Sequence, residues 1–295
     1  MSAPTVIRQG RAADAPPVLV EPTPRWKPAL AVVAVWFLVW WFTKGTDTLV
    51  LAGRDQTPVM KTMAAFRDEM IAGRSTNPVM VVTGAIADAL RGLVAWLQRL
   101  ISIPADPRPV PIIGWLGVTA IATWISYAVA NWRIALLTLG TFLSFGVFGY
   151  WSDSMDLLIV VLVAVAISVL IGLPLGILAG TSKRANSIIE PILDFLQTMP
   201  TFVYLLPIVL FFGIGASSAV VCTLAYAVPP LIRISAHGIR SVNPAMIEVT
   251  NSLGQTSWQR LLKVQLPLAK RTIIVGLNQT TLAALSMATI ASFVN

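Results

Sequence analysis

The sequence predicts an all-α, polytopic bundle of helices embedded in a membrane. Only 12% of the 295 residues are charged, against about 25% in soluble domains. Hydrophobic residues reach 56%, and the mean hydropathy is +0.77. The apolar residues occur in blocks of about 20, the length of helix that crosses about 30 Å of hydrocarbon, whereas a membrane β-barrel would show alternating segments of about 10 residues. These observations exclude an ordinary soluble domain, a disordered chain and a collagen-like chain.

The N-terminal third predicts a tail, one span and a loop. Residues 1–28 are polar and rich in proline, which is typical of a disordered tail, here cytoplasmic. Residues 29–43 are apolar and rich in tryptophan, and they predict the first span. Residues 44–109 carry most of the remaining charge and predict an external loop. Within that loop, residues 79–103 predict a helix that lies in the membrane interface, because its charged residues share one face and its leucines the other.

The rest of the chain, residues 110–295, predicts the transmembrane core. Six apolar runs predict spans over residues 110–130, 134–150, 157–179, 195–214, 216–234 and 272–293. The loops that contain residues 131–133, 180–194 and 237–271 carry basic side chains, whereas those at 151–156 and 213–218 carry none. Because basic loops face the cytoplasm, the first set is predicted to be cytoplasmic and the second external.

No arrangement of residues predicts chemistry on this chain. The single cysteine, Cys222, forms no intrachain disulfide, and the single histidine, His237, has no neighbouring cysteine or carboxylate cluster that would make a metal site. We find no Walker A loop, no HExxH motif and no GxGxxG motif. The net charge of +8 is explained by the positive-inside rule, so we expect no nucleic-acid partner. We therefore expect no catalytic residue and no enzyme activity.

The segment 237–271, between the last two spans, predicts two short helices with a sharp corner. Asn243 suits a helix N-cap, and Pro244 suits the first helical position. Gly254 provides a helix stop that accepts a positive φ. Ser257 is predicted to cap the second helix, and Pro267 marks the entry to the next span. A rigid helical projection of this kind is suited to docking into a groove of a partner.

Four sets of residues resemble one family, the binding-protein-dependent ABC transporter permeases of type I. Glu248, Gly254 and the pair Leu266-Pro267 match the spacing of the family's EAA loop, with Glu-Val-Thr in place of Glu-Ala-Ala. The runs at 191–204, 228–233 and 276–287 are similar to those of permeases for glycine betaine, choline and proline betaine. Family members continue past the position of Asn295 with a further span, so the chain is expected to be truncated there.

The resemblance implies a transport subunit of the cell (plasma or inner) membrane for osmolytes of this kind. Its implied partners are cytoplasmic ABC ATPase subunits, a second permease copy in a homodimer, an external substrate-binding protein and membrane lipid. ATP and magnesium are then expected on the ATPase, with no cofactor and no metal on this chain. The residues implied to couple the permease to the ATPase are Glu248, Val249, Thr250, Gly254, Leu266 and Pro267.

Polar side chains within the predicted spans are candidates for the translocation path, because such groups usually face protein or water rather than lipid. They are Gln197, Thr198, Tyr204, Asn278, Gln279 and Thr281. The alternative is that these side chains form hydrogen bonds between helices and only hold the bundle together. Two other functions remain open: a type I permease for another small solute such as an amino acid, and an ion-coupled secondary transporter. The second would favour ionisable residues inside spans and inverted repeats, neither of which is evident.

Overall fold

The computed structural model describes residues 26–44, 58–73, 75–104 and 110–292. These residues form helices and connections, with no strand among them, so the predicted all-α fold is confirmed. Most of the predicted tail, residues 1–25, lies outside the described residues. The helices are α1 (Trp26–Thr43), α2 (Pro58–Ala72), α3 (Pro78–Ile101), α4 (Gly114–Val129), α5 (Trp132–Val147), α6 (Trp151–Thr181), α7 (Lys183–Thr198), α8 (Thr201–Phe212), α9 (Ala216–Arg240), α10 (Pro244–Ser252), α11 (Ser257–Arg260) and α12 (Leu266–Ala291).

The chain divides into two compact units, residues 1–69 and residues 70–295. In the first, α1 carries a row of exposed aromatic side chains, and the Nζ of Lys44 lies 3.6 Å from the ring centroid of Trp41. The apolar part of α1 covers Leu30–Phe42, which is shorter than a typical span. The predicted first span over residues 29–43 is therefore helical, and its crossing of the membrane stays a prediction.

In the second unit, α6, α9 and α12 pack together as the centre of the bundle. Glycines of α6 line the contact with α9: a Cβ built on Gly176 would lie 2.8 Å from the Cβ of Ser235, and one on Gly180 would lie 2.9 Å from the Cβ of Ile239. The absence of side chains at these glycines lets the two helices approach closely. The buried core, with Ile159, Val220 and Met287, extends to α3 through Val94 and to α8 through Tyr204.

Among the described helices, four are long and apolar enough to cross a membrane. They are α3, α6, α9 and the continuous run Ser257–Ala291. The helices α4 and α5 are shorter than the spans predicted at 110–130 and 134–150, with 16 residues each. At 1.5 Å per residue, each covers about 24 Å, so crossing by these helices stays a prediction.

The predicted continuous span over residues 195–214 is wrong. The chain breaks at Met199 and Pro200, and α7 and α8 on either side are bent by 104°. Met199 has a φ of −75° and a ψ of 136°, which is the extended backbone that a following proline favours. The pair counts as a fifth possible span only as a broken one.

The helix predicted over residues 79–103 is present as α3, which begins after an N-cap: Val79 donates its backbone N–H to the Oδ1 of Asn77 at 3.0 Å. Met80, Ala87 and Val94 are buried seven residues apart, and the helix packs on α9, α6 and α8. Its length and composition also allow it to cross a membrane. A position in the interface plane therefore stays a prediction.

Candidate functional site

The candidate site is the segment between α9 and α12, residues 241–265, which we call the α9–α12 loop. Its first helix, α10, begins as the sequence predicts. Asn243 is the N-cap, its Oδ1 accepts the backbone N–H of Ala245 at 2.9 Å, and Pro244 occupies the first helical position. The loop is shorter than the predicted segment 237–271, because α9 extends to Arg240 and α12 begins at Leu266.

The corner of the α9–α12 loop lies at Gly254, as predicted. Gly254 has a φ of +69°, and its N–H donates to the carbonyl of Asn251 at 3.0 Å. The next residue, Gln255, donates its N–H to the carbonyl of Thr250 at 3.1 Å. A Cβ added at Gly254 would meet no atom within 4 Å. The glycine is therefore required within this chain for its backbone conformation and not for space.

The cap of the second helix is Thr256, and the prediction of Ser257 is wrong. Gln259 donates its backbone N–H to the Oγ1 of Thr256 at 3.3 Å, and Thr256 donates its N–H to the Oε1 of Gln259 at 3.0 Å. This reciprocal pair is a capping box, and the Thr-x-x-Gln pattern in the sequence is its signal.

The second helix does not end before the next span. It passes from α11 through a short π-helical segment, Leu261–Gln265, directly into α12. Leu266, half-buried, and Pro267, exposed, lie in the first turn of α12. One continuous helical run thus connects the loop corner to the centre of the bundle.

The outer surface of α10 carries an exposed apolar face. Met246 is 46% exposed, Val249 55% and Leu253 71%. Met246 and Val249 lie in α10 and Leu253 is its C-cap residue, and the spacings of three and four residues place all three on one side of this segment. We call these three residues the α10 apolar face. Exposure of an apolar face to water is unfavourable, and such a face is suited to contact with another protein.

The three residues at the position of the Glu-Ala-Ala motif point in different directions. Glu248 and Val249 are exposed, whereas Thr250 is only 5% exposed and its Oγ1 donates to the carbonyl of Ile247 at 2.7 Å. The structure therefore makes Glu248 and Val249 accessible to a partner and turns Thr250 inward.

The candidate path residues fall into three places. Gln197 and Thr198 are exposed at the end of α7, next to the break, while Tyr204 is buried in α8 with a hydroxyl that has no hydrogen-bond partner among the described residues. On α12, the polar side chains are exposed; they are Asn278, Gln279 and Thr281.

The helices that carry these path residues contact each other mainly through α9. The main contacts of α12 are with α9 and α6, those of α7 are with α6 and α9, and those of α8 are with α9 and α3. The path residues of α7 and those of α12 are therefore not joined by a main helix–helix contact among the described residues.

Sequence reasoning missed an ion pair near the break. Arg233 of α9 donates to the carboxylate of Asp194 in α7. Each residue is a single charge at the edge of an apolar run, and opposite charges at the same predicted end of two consecutive spans are the signal that was available. The pair ties α7 to the helix that contains Pro229 and Pro230.

The helical bundle and its membrane-capable helices define the class: a multi-pass membrane protein, here with a loop that carries an exposed apolar face. The chain belongs to the family of binding-protein-dependent transport system inner membrane components, whose sequence model matches residues 172–295. It is therefore a component of a transport system, and its match lies over the half of the chain that contains α7 to α12 and the loop between them.

Similar proteins confirm the resemblance to permeases of betaine importers. The glycine betaine transport system permease protein OpuAB of Bacillus subtilis is 47% identical over 229 residues, which cover 76% of this chain and 78% of that protein. The glycine betaine/carnitine transport permease protein GbuB of Listeria monocytogenes is 35% identical over 79% of this chain and 80% of its own length. The glycine betaine/proline betaine transport system permease protein ProW of Escherichia coli is 46% identical over 61% of this chain, and the match spans about half, 52%, of ProW.

Proposed function

We propose that this chain is the membrane-spanning permease subunit of an ATP-driven importer for small quaternary ammonium osmolytes such as glycine betaine, choline or proline betaine. The relatives that support the substrate class carry glycine betaine, carnitine or proline betaine in their names. In this proposal, ATP and magnesium bind a separate cytoplasmic ATPase, an external binding protein delivers the substrate, and two permease copies enclose the path.

The observation that carries the proposal is the α10 apolar face on a rigidly built loop. Its three side chains are exposed on a helix that is closed by an N-cap at Asn243 and a corner at Gly254. Burial of such a face in an ATPase groove would be favourable by about 25 cal/mol for each Å² removed from water. Glu248 adds a charge next to the face, where it would select a basic residue on the partner.

Motion of the docked loop has a direct route into the bundle. The run Ser257–Ala291 is helical throughout, so a displacement at α11 moves the base of α12 with it. At that base, a Cβ on Gly238 of α9 would lie 2.9 Å from the Cβ of Thr272 in α12, so the two helices are in close contact. Closure of the ATPase would thus shift α12 and α9 together, and the substrate path would open to one side or the other.

The path itself is proposed to run between two copies of the permease. Gln197, Thr198, Asn278, Gln279 and Thr281 are exposed in a single chain. The hydroxyls of Thr198 and Thr281 donate to carbonyls of their own helices, but the three exposed amides are poorly accommodated by lipid. A second copy, together with water in the path, would satisfy these amides. Tyr204 is buried in α8, just after the break that follows Gln197 and Thr198, and its hydroxyl would contribute to the path there.

The test is uptake by proteoliposomes that contain the purified permease, its ATPase and its binding protein. We expect uptake of radiolabelled glycine betaine that requires ATP inside the vesicle and is competed by proline betaine or choline. Vesicles that contain ADP are the control. Uptake that ATP does not stimulate, but an ion gradient does, would contradict the proposal in favour of a secondary transporter. ATP-driven uptake of an amino acid that betaines do not inhibit would contradict the proposed substrate class and indicate an amino-acid importer.

A further inference from the structure

A cleft of about 580 Å³ lies at the end of the bundle opposite the α9–α12 loop. The first turns of α6 form one wall, and the start of α9 and the end of α12 form the other. Its polar and aromatic lining consists of Phe145, Tyr150, Asp153, Ser154, Asp156, Thr289 and Ser292. We call this cavity the outer cleft. Its volume falls in the range of about 300–1,000 Å³ that is usual for small-molecule sites.

The outer cleft is negatively charged, because Asp153 and Asp156 line it and no basic side chain does. The carboxylate of Asp156 accepts hydrogen bonds from the Oγ of Ser102 at 2.7 Å and the Nε2 of Gln98 at 3.1 Å. Both donors are neutral, so they hold the carboxylate in place without cancelling its charge. Asp153 is exposed and has no hydrogen-bond or ion-pair partner among the described residues. Asp153 lies in the first turn of α6, where its charge complements the helix dipole, and its exposed carboxylate is also accessible to a cation in the cleft.

Aromatic rings form part of the same lining. Phe145 lies 6.0 Å from Phe142 between ring centroids, and Phe142 lies 6.3 Å from Trp151, whose Nε1 donates to the carbonyl of Ile101 at 2.8 Å. This chain of contacts fixes the Phe145 wall. Tyr150 provides a second ring. The faces of aromatic rings attract cations, and quaternary ammonium groups bind such rings in particular.

The remaining lining favours an organic cation over a bare metal ion. Leu157, Val160, Ala219 and Ala288 contribute apolar surface to the outer cleft. A divalent ion requires about six oxygen ligands at short distance, whereas a trimethylammonium group presents methyl groups that form no hydrogen bonds and prefer an apolar surface with charge nearby. Two carboxylates, two rings and apolar walls match the second kind of ligand.

We propose that the outer cleft is a weak binding site, on the permease itself, for the ammonium end of a quaternary ammonium substrate before translocation. The choice of substrate class rests on the proposed function. The carboxylate of a zwitterion such as glycine betaine is repelled by Asp153 and Asp156 and points out of the cleft. A purely cationic substrate such as choline therefore gains more from the two carboxylates than a zwitterion does.

The experiment measures protection of a cysteine in the outer cleft by tetramethylammonium. A Ser154→Cys substitution is made in a Cys222→Ala background, and the full transporter complex in lipid nanodiscs is labelled with a soluble maleimide. Tetramethylammonium is the probe, and sodium at the same concentration is the control for ionic strength. Asp153→Asn removes the free carboxylate with little change in shape. Asp88→Asn, on exposed α3 surface away from the cleft, is the matched control for loss of one charge.

We expect tetramethylammonium, but not sodium, to slow labelling of Ser154→Cys, and Asp153→Asn to weaken this protection about fivefold or more, as loss of one close charge contact would. Asp88→Asn should leave the protection unchanged. Equal labelling with and without tetramethylammonium would overturn the proposal, as would protection that survives Asp153→Asn unchanged. Uptake of glycine betaine by the wild-type complex is measured in parallel, so that a transporter without a cleft site is distinguished from one with a different substrate.

Discussion

Gly254 is the residue on which the conformation of the α9–α12 loop depends most directly. Its φ of +69° is strained for a branched side chain and tolerated by asparagine, while the surrounding space is open. A Gly254→Val substitution should therefore cost about 1–3 kcal/mol locally and change the direction in which α10 projects, without unfolding the bundle. We expect the complex to lose ATP-dependent uptake, while Gly254→Asn retains most of it. Uptake and ATPase rates in vesicles measure this, and equal activity of the two variants would contradict the backbone argument.

Gly176 tests the packing of α6 on α9. A Cβ at this position would lie 2.8 Å from the Cβ of Ser235 and 3.1 Å from the carbonyl oxygen of Ile232, neither of which is a flexible chain end. Gly176→Ala should lower the stability of the permease by about 1–3 kcal/mol. Gly92→Ala in α3 is the matched control, because its Cβ would meet nothing within 4 Å, and we expect it to be neutral or stabilising by up to about 1 kcal/mol. Thermal unfolding in detergent measures both, and equal melting temperatures would refute the close-packing account.

At the scale of elements, α12 carries both the connection to the loop and three candidate path residues. Asn278 is exposed on α12, and lipid would not satisfy its amide. We expect Asn278→Leu to reduce the rate of uptake severalfold while the ATPase still co-purifies, and Asn278→Gln, which keeps the amide, to restore part of the rate. Initial rates of uptake at several substrate concentrations provide the measurement. Unchanged uptake kinetics in Asn278→Leu would contradict a role in the path and indicate that Asn278 contributes only to helix packing.

Local signals in the sequence predicted the loop better than hydropathy predicted the helices. Asn243 acts through its own side-chain oxygen, and Pro244 and Gly254 act through their own backbones, so their positions in the cap and the corner follow from residue type. Hydropathy adds up composition over a window, so it joined α7 to α8 across Met199 and Pro200. It also ended the predicted span at residue 234, whereas the helix of α9 continues to Arg240 because backbone hydrogen bonds do not stop at the membrane surface.

The contacts between helices could not be predicted from the sequence. The inward turn of Thr250, the burial of Tyr204 and the ion pair of Arg233 with Asp194 depend on which helices become neighbours. Gly172, Gly176 and Gly180 of α6 are spaced four residues apart, a pattern that favours close helix packing, but only the structure shows that the partner helix is α9.

At the scale of the whole molecule, the distribution of basic loops predicts which ends of the helices face the cytoplasm. A cysteine at exposed Ser252, in a Cys222→Ala background, should react with an impermeant maleimide only in inverted vesicles, and one at exposed Ser152 only in intact cells. The labelled fraction of each variant on both sides of the membrane is the readout. The reverse pattern would invert the topology and place the α9–α12 loop away from any cytoplasmic ATPase.

The central claim is that the α10 apolar face docks the ATPase, and substitution of Val249 tests it most directly. Val249→Asp places a charge in the proposed interface at a cost of several kcal/mol, whereas Val249→Thr keeps the shape and adds only a hydroxyl. The measurement is the ratio of ATPase to permease after purification on a tagged permease. The account predicts a normal ratio for Val249→Thr and a ratio reduced at least about tenfold for Val249→Asp, with normal permease yield. A normal ratio for Val249→Asp would show that the ATPase docks elsewhere.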